Sequence, residues 1–335
     1  MTPFRPVPFS QAVAEVPETP DWLVDRLVVK GSLGLVAGDP KAGKSEITAQ
    51  AAVAVAQGSP FLGRPTVQSD VLIIVAEEMR DDAVRRLQHF GLEPTDPERV
   101  WLWTETVEDT EADRRRIREF ISERENVLVI IDTLTSYLLL TDETNNSVNT
   151  ARLKPYVDLA HETGATFLFI HHLRKNRDDG TNDIRAVRGG SSIAALADAI
   201  YQLQKGGGTK RKLSITSRYR DVPRSLLLDY PGWPDGEYVC LGPPEEHASA
   251  ARREKAVAVL PTTGAGLTVK EVVERVGMKP GATRRALEDA RTSKGATVMR
   301  TGKGTRSDPH RYVRTGSTTD AQTAAADAST TAKAA

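Results

Sequence analysis

A glycine-rich segment near the N-terminus, "GDPKAGKS" at residues 38–45, limits what this chain can fold into more than any other feature. It has the pattern G-x-x-x-x-G-K-[ST], whose glycines let successive backbone N–H groups turn inward around a triphosphate. In that pattern Lys44 reaches the β- and γ-phosphates, and Ser45 offers its hydroxyl to Mg²⁺. The apolar run "SLGLVAG" precedes the segment and an alanine-rich stretch ending at Gly58 follows it, which predicts the strand, loop and helix that the motif requires. The sequence therefore predicts a nucleoside triphosphate site. Its predicted nucleotide-binding residues are Gly38, Asp39, Pro40, Lys41, Ala42, Gly43, Lys44, Ser45 and Glu46.

The composition narrows the class of protein. A length of 335 residues allows one large α/β domain and a small second one. The sequence has no run of 18 apolar residues, and residues 1–20 lack the apolar core of a signal peptide. Cys240 is the single cysteine, which excludes an intrachain disulfide and zinc clusters of several cysteines. These features predict a cytoplasmic protein with no membrane partner.

Apolar runs alternate with helical segments over the first half of the chain. Candidate buried strands follow the glycine-rich segment at residues 70–78, 100–105, 126–132 and 165–172. Strands separated by helices predict a mostly parallel central sheet covered on both faces. After about residue 198, four strand-like segments follow one another with only short turns between them, which predicts an antiparallel extension. The fold class is therefore α/β.

The C-terminal part has a different character. Residues 250–314 contain 15 Lys and Arg against six Asp and Glu, whereas residues 1–249 contain 29 against 37. The order of elements in 250–314 is three helices and a hairpin, which is typical of a winged helix-turn-helix. Thr268 and Glu271 form a candidate capping box before the second helix. Because the first residues of the third helix enter the major groove in such domains, Arg284 and Arg285 are candidate DNA-binding residues. The alternative is that this domain packs on a protein partner.

The predicted organisation has five parts. They are an N-terminal lead-in at 1–20, a nucleotide-binding α/β domain at 21–242, a linker at 243–249, the winged helix-like domain at 250–314 and a disordered tail at 315–335.

Polar residues end three of the candidate strands. Asp132 closes "VLVIID" and can hold Mg²⁺ opposite Ser45. Glu77 and Glu78 end the neighbouring strand, where a carboxylate can take a proton from an attacking water. His171 and His172 end "ATFLFIHH", and either one can contact the γ-phosphate or serve as a satisfied core histidine.

A long polar segment at residues 173–192 follows the two histidines. It contains glycines and several basic residues, and long loops after strand ends often carry binding functions. Its predicted ligand is a nucleic-acid backbone. The basic residues concerned are Arg174, Lys175, Arg177, Arg185 and Arg188.

Five segments in this order resemble the RecA-type ATPases, and specifically the RepA-like branch near the DnaB-type replicative helicases. The resemblance covers about residues 20–242. The segments are "WLVDRLVVKGSLGLVAGDPKAGKS", "VAEEMRDDAVRRL", "VLVIIDTLTSYL", "IHHLRKN" and "VRGGSSIAALADAIYQLQK".

The resemblance implies a role for individual residues. Lys44 and Ser45 match the Walker A positions, Asp132 the Walker B aspartate, and Glu77 the catalytic glutamate, with Glu78 as the alternative. His172 matches the γ-phosphate sensor. The resemblance also implies that the nucleotide is ATP and that the metal ion is Mg²⁺.

Further residues match motifs that act between molecules. Arg188, Gly189 and Ser191 fall in the DNA-facing motif. Arg220 resembles the arginine finger given to a neighbouring subunit, with Arg218 as a companion cation and Arg224 as the nearby alternative. Such enzymes are homo-oligomers, either hexameric rings or filaments, because the finger acts in trans.

Three functions remain open from the sequence. The first is an oligomeric, DNA-stimulated ATPase, a helicase or helicase-like motor in replication or recombination of a plasmid, phage or mobile element. The alternative is a DNA-binding regulator that ATP switches and that does not unwind duplex. A small-molecule kinase is the third, and the strand-end motifs and the Arg/Gly segment count against it.

The chain lacks a primase or collar domain before residue 20 and adds a C-terminal domain, and both features favour DNA-dependent ATP hydrolysis over processive unwinding.

Overall fold

The computed structural model describes residues 6–105, 108–140, 145–172, 190–293 and 295–315. The chain divides into two compact units, Met1–Gly242 and Pro243–Ala335. No helix in the described part of the chain is long and apolar enough to cross a membrane.

The first unit contains seven of the described helices and eleven of the described strands. The helices are α1 (Phe9–Glu15), α2 (Lys44–Gln57), α3 (Arg80–His89), α4 (Glu111–Ser122), α5 (Leu134–Tyr137), α6 (Asn146–Thr163) and α7 (Gly190–Leu196). The strands are β1 (Trp22–Val24), β2 (Val28–Val29), β3 (Leu33–Gly38), β4 (Asp70–Val75), β5 (Val100–Trp103), β6 (Val127–Asp132), β7 (Thr166–His172), β8 (Ala199–Lys205), β9 (Lys210–Ser217), β10 (Ser225–Asp229) and β11 (Val239–Gly242).

Nine of these strands form one sheet in the order β11-β10-β9-β8-β3-β7-β6-β4-β5. The pairs from β8 through β3, β7, β6 and β4 to β5 are parallel. The pairs from β8 through β9 and β10 to β11 are antiparallel. The predicted mostly parallel α/β sheet is therefore confirmed, and the sheet continues as an antiparallel edge.

Both faces of the sheet are buried, so consecutive residues of the central strands are apolar. Val36 and Ile130 pack on the face that α2 covers, whereas Leu35 and Ile131 pack on the face that α4 and α6 cover. This double coverage is the reason why the central strands read as continuous apolar runs. The carboxyl ends of β3, β4, β6 and β7 lie at one edge, where a ligand site is expected in a parallel sheet.

The described residues of the second unit form three helices and a small sheet. Its elements are α8 (Pro244–Ala258), β12 (Leu267–Thr268), α9 (Val269–Val276), α10 (Pro280–Thr292), β13 (Val298–Thr301) and β14 (Arg311–Arg314). The strands pair in the order β12-β14-β13, all antiparallel. The capping box of Thr268 and Glu271 is present. Ala256, Leu287 and Tyr312 are among the residues of its separate core.

Residues 244–249, where the sequence predicts a linker, form the first turns of α8. Pro244 has the fixed backbone angle that suits a first helical position, and Glu245 and Glu246 carry the negative charge that a helix N-terminus favours. The helix therefore begins earlier than the composition suggests. At the other end of the chain, α1 in the predicted lead-in contains no buried residue.

Candidate active site

The segment 38–45, here called the P-loop, joins the end of β3 to the start of α2. Lys41 and Gly43 have positive φ angles of 61° and 100°, which turn the backbone tightly around the loop. No side chain caps the N-terminus of α2, so its first backbone N–H groups stay available to an anion. The strand, loop and helix that the motif requires are all present.

The side chain of Lys44 lies inside the P-loop and is 5% exposed. Its Nζ donates hydrogen bonds to the carbonyl oxygens of Gly38 and Asp39, at 3.2 and 3.1 Å. Burial lowers the pKa of Lys44, and the nearby carboxylates of Asp132 and others oppose that effect. The ammonium group therefore sits within a cradle of backbone oxygens and acidic side chains.

A cavity of about 240 Å³, here called the P-loop cavity, opens beside Lys44. Its lining residues are Lys41, Gly43, Lys44, Ser45, Glu46, Glu77, Glu78, Asp132, Thr133, Ile170 and His172. Of the predicted nucleotide-binding residues, Gly38, Asp39, Pro40 and Ala42 form the rest of the P-loop. The cavity brings together residues from the ends of β3, β4, β6 and β7.

Asp132 is the last residue of β6 and is 8% exposed. Burial raises the pKa of Asp132 to about 6, although a hydrogen bond with the Ser45 side chain lowers it. A buried carboxylate beside a hydroxyl is a hard oxygen donor pair that suits Mg²⁺. In the described part of the chain, no group of three or more His, Cys, Asp or Glu side chains forms a metal site by itself. Mg²⁺ at nucleotide sites takes its remaining ligands from phosphate and water, so this pair fits the ion.

The two glutamates after β4 have different partners. Both carboxylate oxygens of Glu78 accept hydrogen bonds from the guanidinium of Arg86, each at 2.6 Å. Glu77 Oε2 instead accepts a hydrogen bond from the Thr133 hydroxyl at 2.9 Å and lies 3.5 Å from the hydroxyl of Ser136. A bidentate guanidinium occupies both oxygens of Glu78, whereas the hydroxyl contacts of Glu77 leave it able to accept a proton.

The two histidines at the end of β7 lie in different surroundings. His172 pairs with Gly38 across the β3–β7 ladder, at the start of the P-loop, and its Nδ1 lies 3.4 Å from Lys44 Nζ. His171 is fully buried. His172 is therefore the histidine that reaches the P-loop cavity.

The arginines predicted to act between subunits lie away from this cavity, between β9 and β10. Arg218 forms an ion pair with Asp198 at 3.1 Å and donates to the Ala195 carbonyl at 3.0 Å. Asp198 in turn accepts a hydrogen bond from the Leu33 backbone N–H at 2.9 Å. Arg218 therefore has partners within its own domain, and Arg220, like Arg218, is exposed.

The predicted DNA-binding residues fall in two places. Arg174, Lys175, Arg185, Arg188 and Gly189 lie outside the described residues, as does the side chain of Ser191. In the second unit, Arg284 and Arg285 are exposed on α10. The neighbouring Thr283 is fully buried and donates to the Lys279 carbonyl at 3.2 Å, so it belongs to the core and not to the outer face.

Sequence reasoning missed several residues around the P-loop. Thr133 and Ser136 contact Glu77. Tyr238 donates from its hydroxyl to the Gly43 carbonyl at 3.0 Å. Thr133 directly follows Asp132 and could have been considered from its position. Tyr238 lies 195 residues from Gly43, and the sequence contains no motif that links them.

Comparisons with known proteins concern the family and the fold of this chain. A family model described as an AAA domain matches residues 2–178. No curated protein matches the sequence. A solved structure titled "ATPase Domain of G40P" is similar with a TM-score of 0.50 and 14% identity, over 64% of this chain and 86% of that one. At this identity the likeness concerns the fold, and it supports the RecA-like fold class of the first unit.

Proposed function

This chain belongs to the AAA domain family, and on that premise we propose that it is an oligomeric, DNA-stimulated ATPase of the helicase type. One observation carries the proposal: Lys44, Ser45, Asp132, Glu77 and His172 line a single cavity at the carboxyl edge of a parallel sheet. A phosphate-binding lysine, a metal-binding pair and a candidate base are the parts that nucleotide hydrolysis requires.

Each of these five residues has a proposed role. Lys44 contacts the β- and γ-phosphate oxygens of ATP, and Ser45 and Asp132 hold Mg²⁺. When bound, Mg²⁺ neutralises negative charge on the phosphates. Glu77 orients the attacking water and accepts its proton, and His172 contacts the γ-phosphate.

A second copy of the chain completes the proposed site. Arg220 is exposed on the turn between β9 and β10 and does not line the P-loop cavity of its own subunit. We propose that it enters the cavity of a neighbouring subunit, where a guanidinium stabilises charge in the transition state. That arrangement requires a homo-oligomer, a hexameric ring or a filament.

DNA is the proposed partner of two regions. The segment 173–192 would bind single-stranded DNA, and the second unit would bind duplex DNA as a winged helix. The helices, the three-stranded sheet and the exposed Arg284 and Arg285 of the second unit support the latter role. Replication or recombination of a plasmid, phage or mobile element is the setting that we infer.

An ATP-switched DNA-binding regulator is the second candidate, and the basic second unit favours it. A strand-displacement assay on tailed duplexes separates the two candidates. ATP-dependent unwinding that Lys44→Ala abolishes supports the motor. Duplex binding that ATP changes, without unwinding by the wild-type protein, supports the regulator.

A further inference from the structure

The loop at residues 230–238, here called the aromatic loop, connects β10 to β11 and reaches the P-loop through Tyr238. Tyr238 is 2% exposed, and its hydroxyl donates a hydrogen bond to the Gly43 carbonyl oxygen at 3.0 Å. The ring of Tyr230 stacks on the ring of Tyr238, with 4.0 Å between centroids and 11° between planes. The two stacked tyrosine rings therefore lie beside the P-loop.

The hydrogen bond from Tyr238 acts on a particular peptide unit. The Gly43 carbonyl and the Lys44 N–H belong to one planar trans peptide, so they point in opposite directions. That carbonyl also accepts the Ile47 N–H at 3.0 Å, in the first turn of α2. Holding the carbonyl toward Tyr238 and Ile47 directs the Lys44 N–H the other way. Backbone N–H groups of this loop are the donors that bind phosphate.

The fit between Tyr238 and Gly43 is close. A Cβ atom at position 43 would lie 2.0 Å from the Tyr238 hydroxyl oxygen. The φ angle of 100° at Gly43 also disfavours any side chain there. The glycine is thus required both by the turn and by the tyrosine beside it.

Helix α2 holds Tyr238 from a second side. The Gln50 side chain accepts a hydrogen bond from the Tyr238 N–H at 2.8 Å and donates one to the Tyr238 carbonyl at 3.1 Å. At the far side of the aromatic loop, His89 of α3 lies 3.0 Å from the Gly236 carbonyl oxygen. The helix that begins at Lys44 therefore fixes the backbone of the residue that contacts Gly43.

We propose that Tyr238 is a positioning residue of the nucleotide site, which fixes the Gly43–Lys44 peptide in the orientation that binds phosphate. The inference rests on the proposed binding of ATP at the P-loop. Burial raises the pKa of the Tyr238 hydroxyl, so it stays protonated and able to donate throughout the physiological range.

The aromatic pair supplies a matched control. Tyr238→Phe removes the hydroxyl that donates to Gly43. Tyr230→Phe removes a buried hydroxyl that has no hydrogen-bond partner among the described residues, and it leaves the stacked rings in place. We expect Tyr238→Phe to raise the Kd for Mg²⁺-ATP about fivefold, a factor that corresponds to one neutral hydrogen bond. Tyr230→Phe should bind as the wild type does.

The measurement is titration of the full-length protein with Mg²⁺-ATP, alongside thermal unfolding without nucleotide. The expected result is weaker binding by Tyr238→Phe alone, with Tm lowered by only about 2–4 °C because one buried hydrogen bond is lost. KM should rise while kcat stays nearly unchanged, because the phosphate contact is made equally in the ground and transition states. Equal weakening by both variants would overturn the proposal, since the rings and not the hydroxyl would then matter. Wild-type affinity in Tyr238→Phe would also overturn it.

A second variant tests the proposal if Tyr238→Phe does not fold. Gln50→Ala frees the Tyr238 backbone and leaves both rings intact, and we expect it to raise the Kd about threefold or more. Affinity equal to wild type in Gln50→Ala would then count against the proposal. Failure of the wild-type protein itself to bind Mg²⁺-ATP would instead refute the proposed function, which keeps the two failures distinct.

Discussion

The carboxylate of Glu78 forms a bidentate ion pair with the guanidinium of Arg86, with both oxygen–nitrogen distances at 2.6 Å. Glu77, the adjacent residue, contacts only neutral hydroxyls in the contacts that the structure describes for it, those of Thr133 and Ser136. The two adjacent carboxylates therefore have different partners beside the same cavity, a cation for Glu78 and neutral hydroxyls for Glu77. The pairing assigns a structural role to Glu78 and supports Glu77 as the proposed base.

The first prediction separates these two glutamates. Glu77→Gln should keep ATP binding and lower kcat by about 10²–10⁴-fold, because loss of a general base removes proton transfer from the attacking water. Glu78→Gln is the matched control and should keep measurable turnover while lowering Tm, since it leaves the half-buried Arg86 without its carboxylate. Steady-state ATP hydrolysis and thermal unfolding of both variants test this assignment. If Glu77→Gln hydrolysed ATP at the wild-type rate and Glu78→Gln were inactive, the general base would be Glu78 and not Glu77.

The second prediction concerns the exposed arginine between β9 and β10. Arg220→Ala should keep nucleotide binding and oligomer size but lower ATP hydrolysis by about 10³-fold, because the transition state loses a cation. Arg224→Ala, in the same turn, is the control and should stay active. Mixing Arg220→Ala with Lys44→Ala should restore some hydrolysis, since a mixed interface joins an intact P-loop to an intact Arg220. Absence of rescue in freely exchanging subunits would contradict a shared site.

The third prediction concerns duplex DNA and the second unit. The double variant Arg284→Ala and Arg285→Ala should weaken duplex binding by the full chain and reduce its dependence on salt, because two phosphate-neutralising charges are lost. A control that removes Arg252 and Arg253, which are exposed on α8, changes the net charge equally. It should have a smaller effect on DNA affinity. Equal effects of the two double variants would indicate attraction by net charge alone.

The fourth prediction concerns the stability of the second unit at acid pH. Burial of Glu288 would raise its pKa, but hydrogen bonds from Arg291, Tyr312 and Arg300 lower it below the usual 4.5. The ionised carboxylate therefore stabilises the folded unit above pH 4.5, and that contribution is lost as the pH falls below this value. Glu288→Gln should lower the stability of this unit at pH 7 by about 1–2 kcal/mol. The difference from wild type should shrink in unfolding curves measured at about pH 3. A difference independent of pH would contradict an ionic role.

The sequence predicts those cavity residues whose positions follow from a short motif or from the order of the parallel strands. Lys44 and Ser45 lie in one short motif, and Asp132 and His172 end parallel strands whose carboxyl ends share an edge. Tyr238 could not be predicted in this way, because a register across nine strands and the path of the aromatic loop decide its contact with Gly43. The different partners of Glu77 and Glu78 depend on side-chain packing from α3 and α5, which strand patterns do not contain.

Hydrolysis of Mg²⁺-ATP by the full-length protein, measured with and without single-stranded DNA, tests directly whether this chain is a DNA-stimulated ATPase. Lys44→Ala serves as the control, because it removes the ammonium group that lies within the P-loop. We expect turnover by the wild-type protein that increases when DNA is added, and no turnover by Lys44→Ala in either condition. Wild-type turnover no faster than that of Lys44→Ala, with or without DNA, would contradict this function.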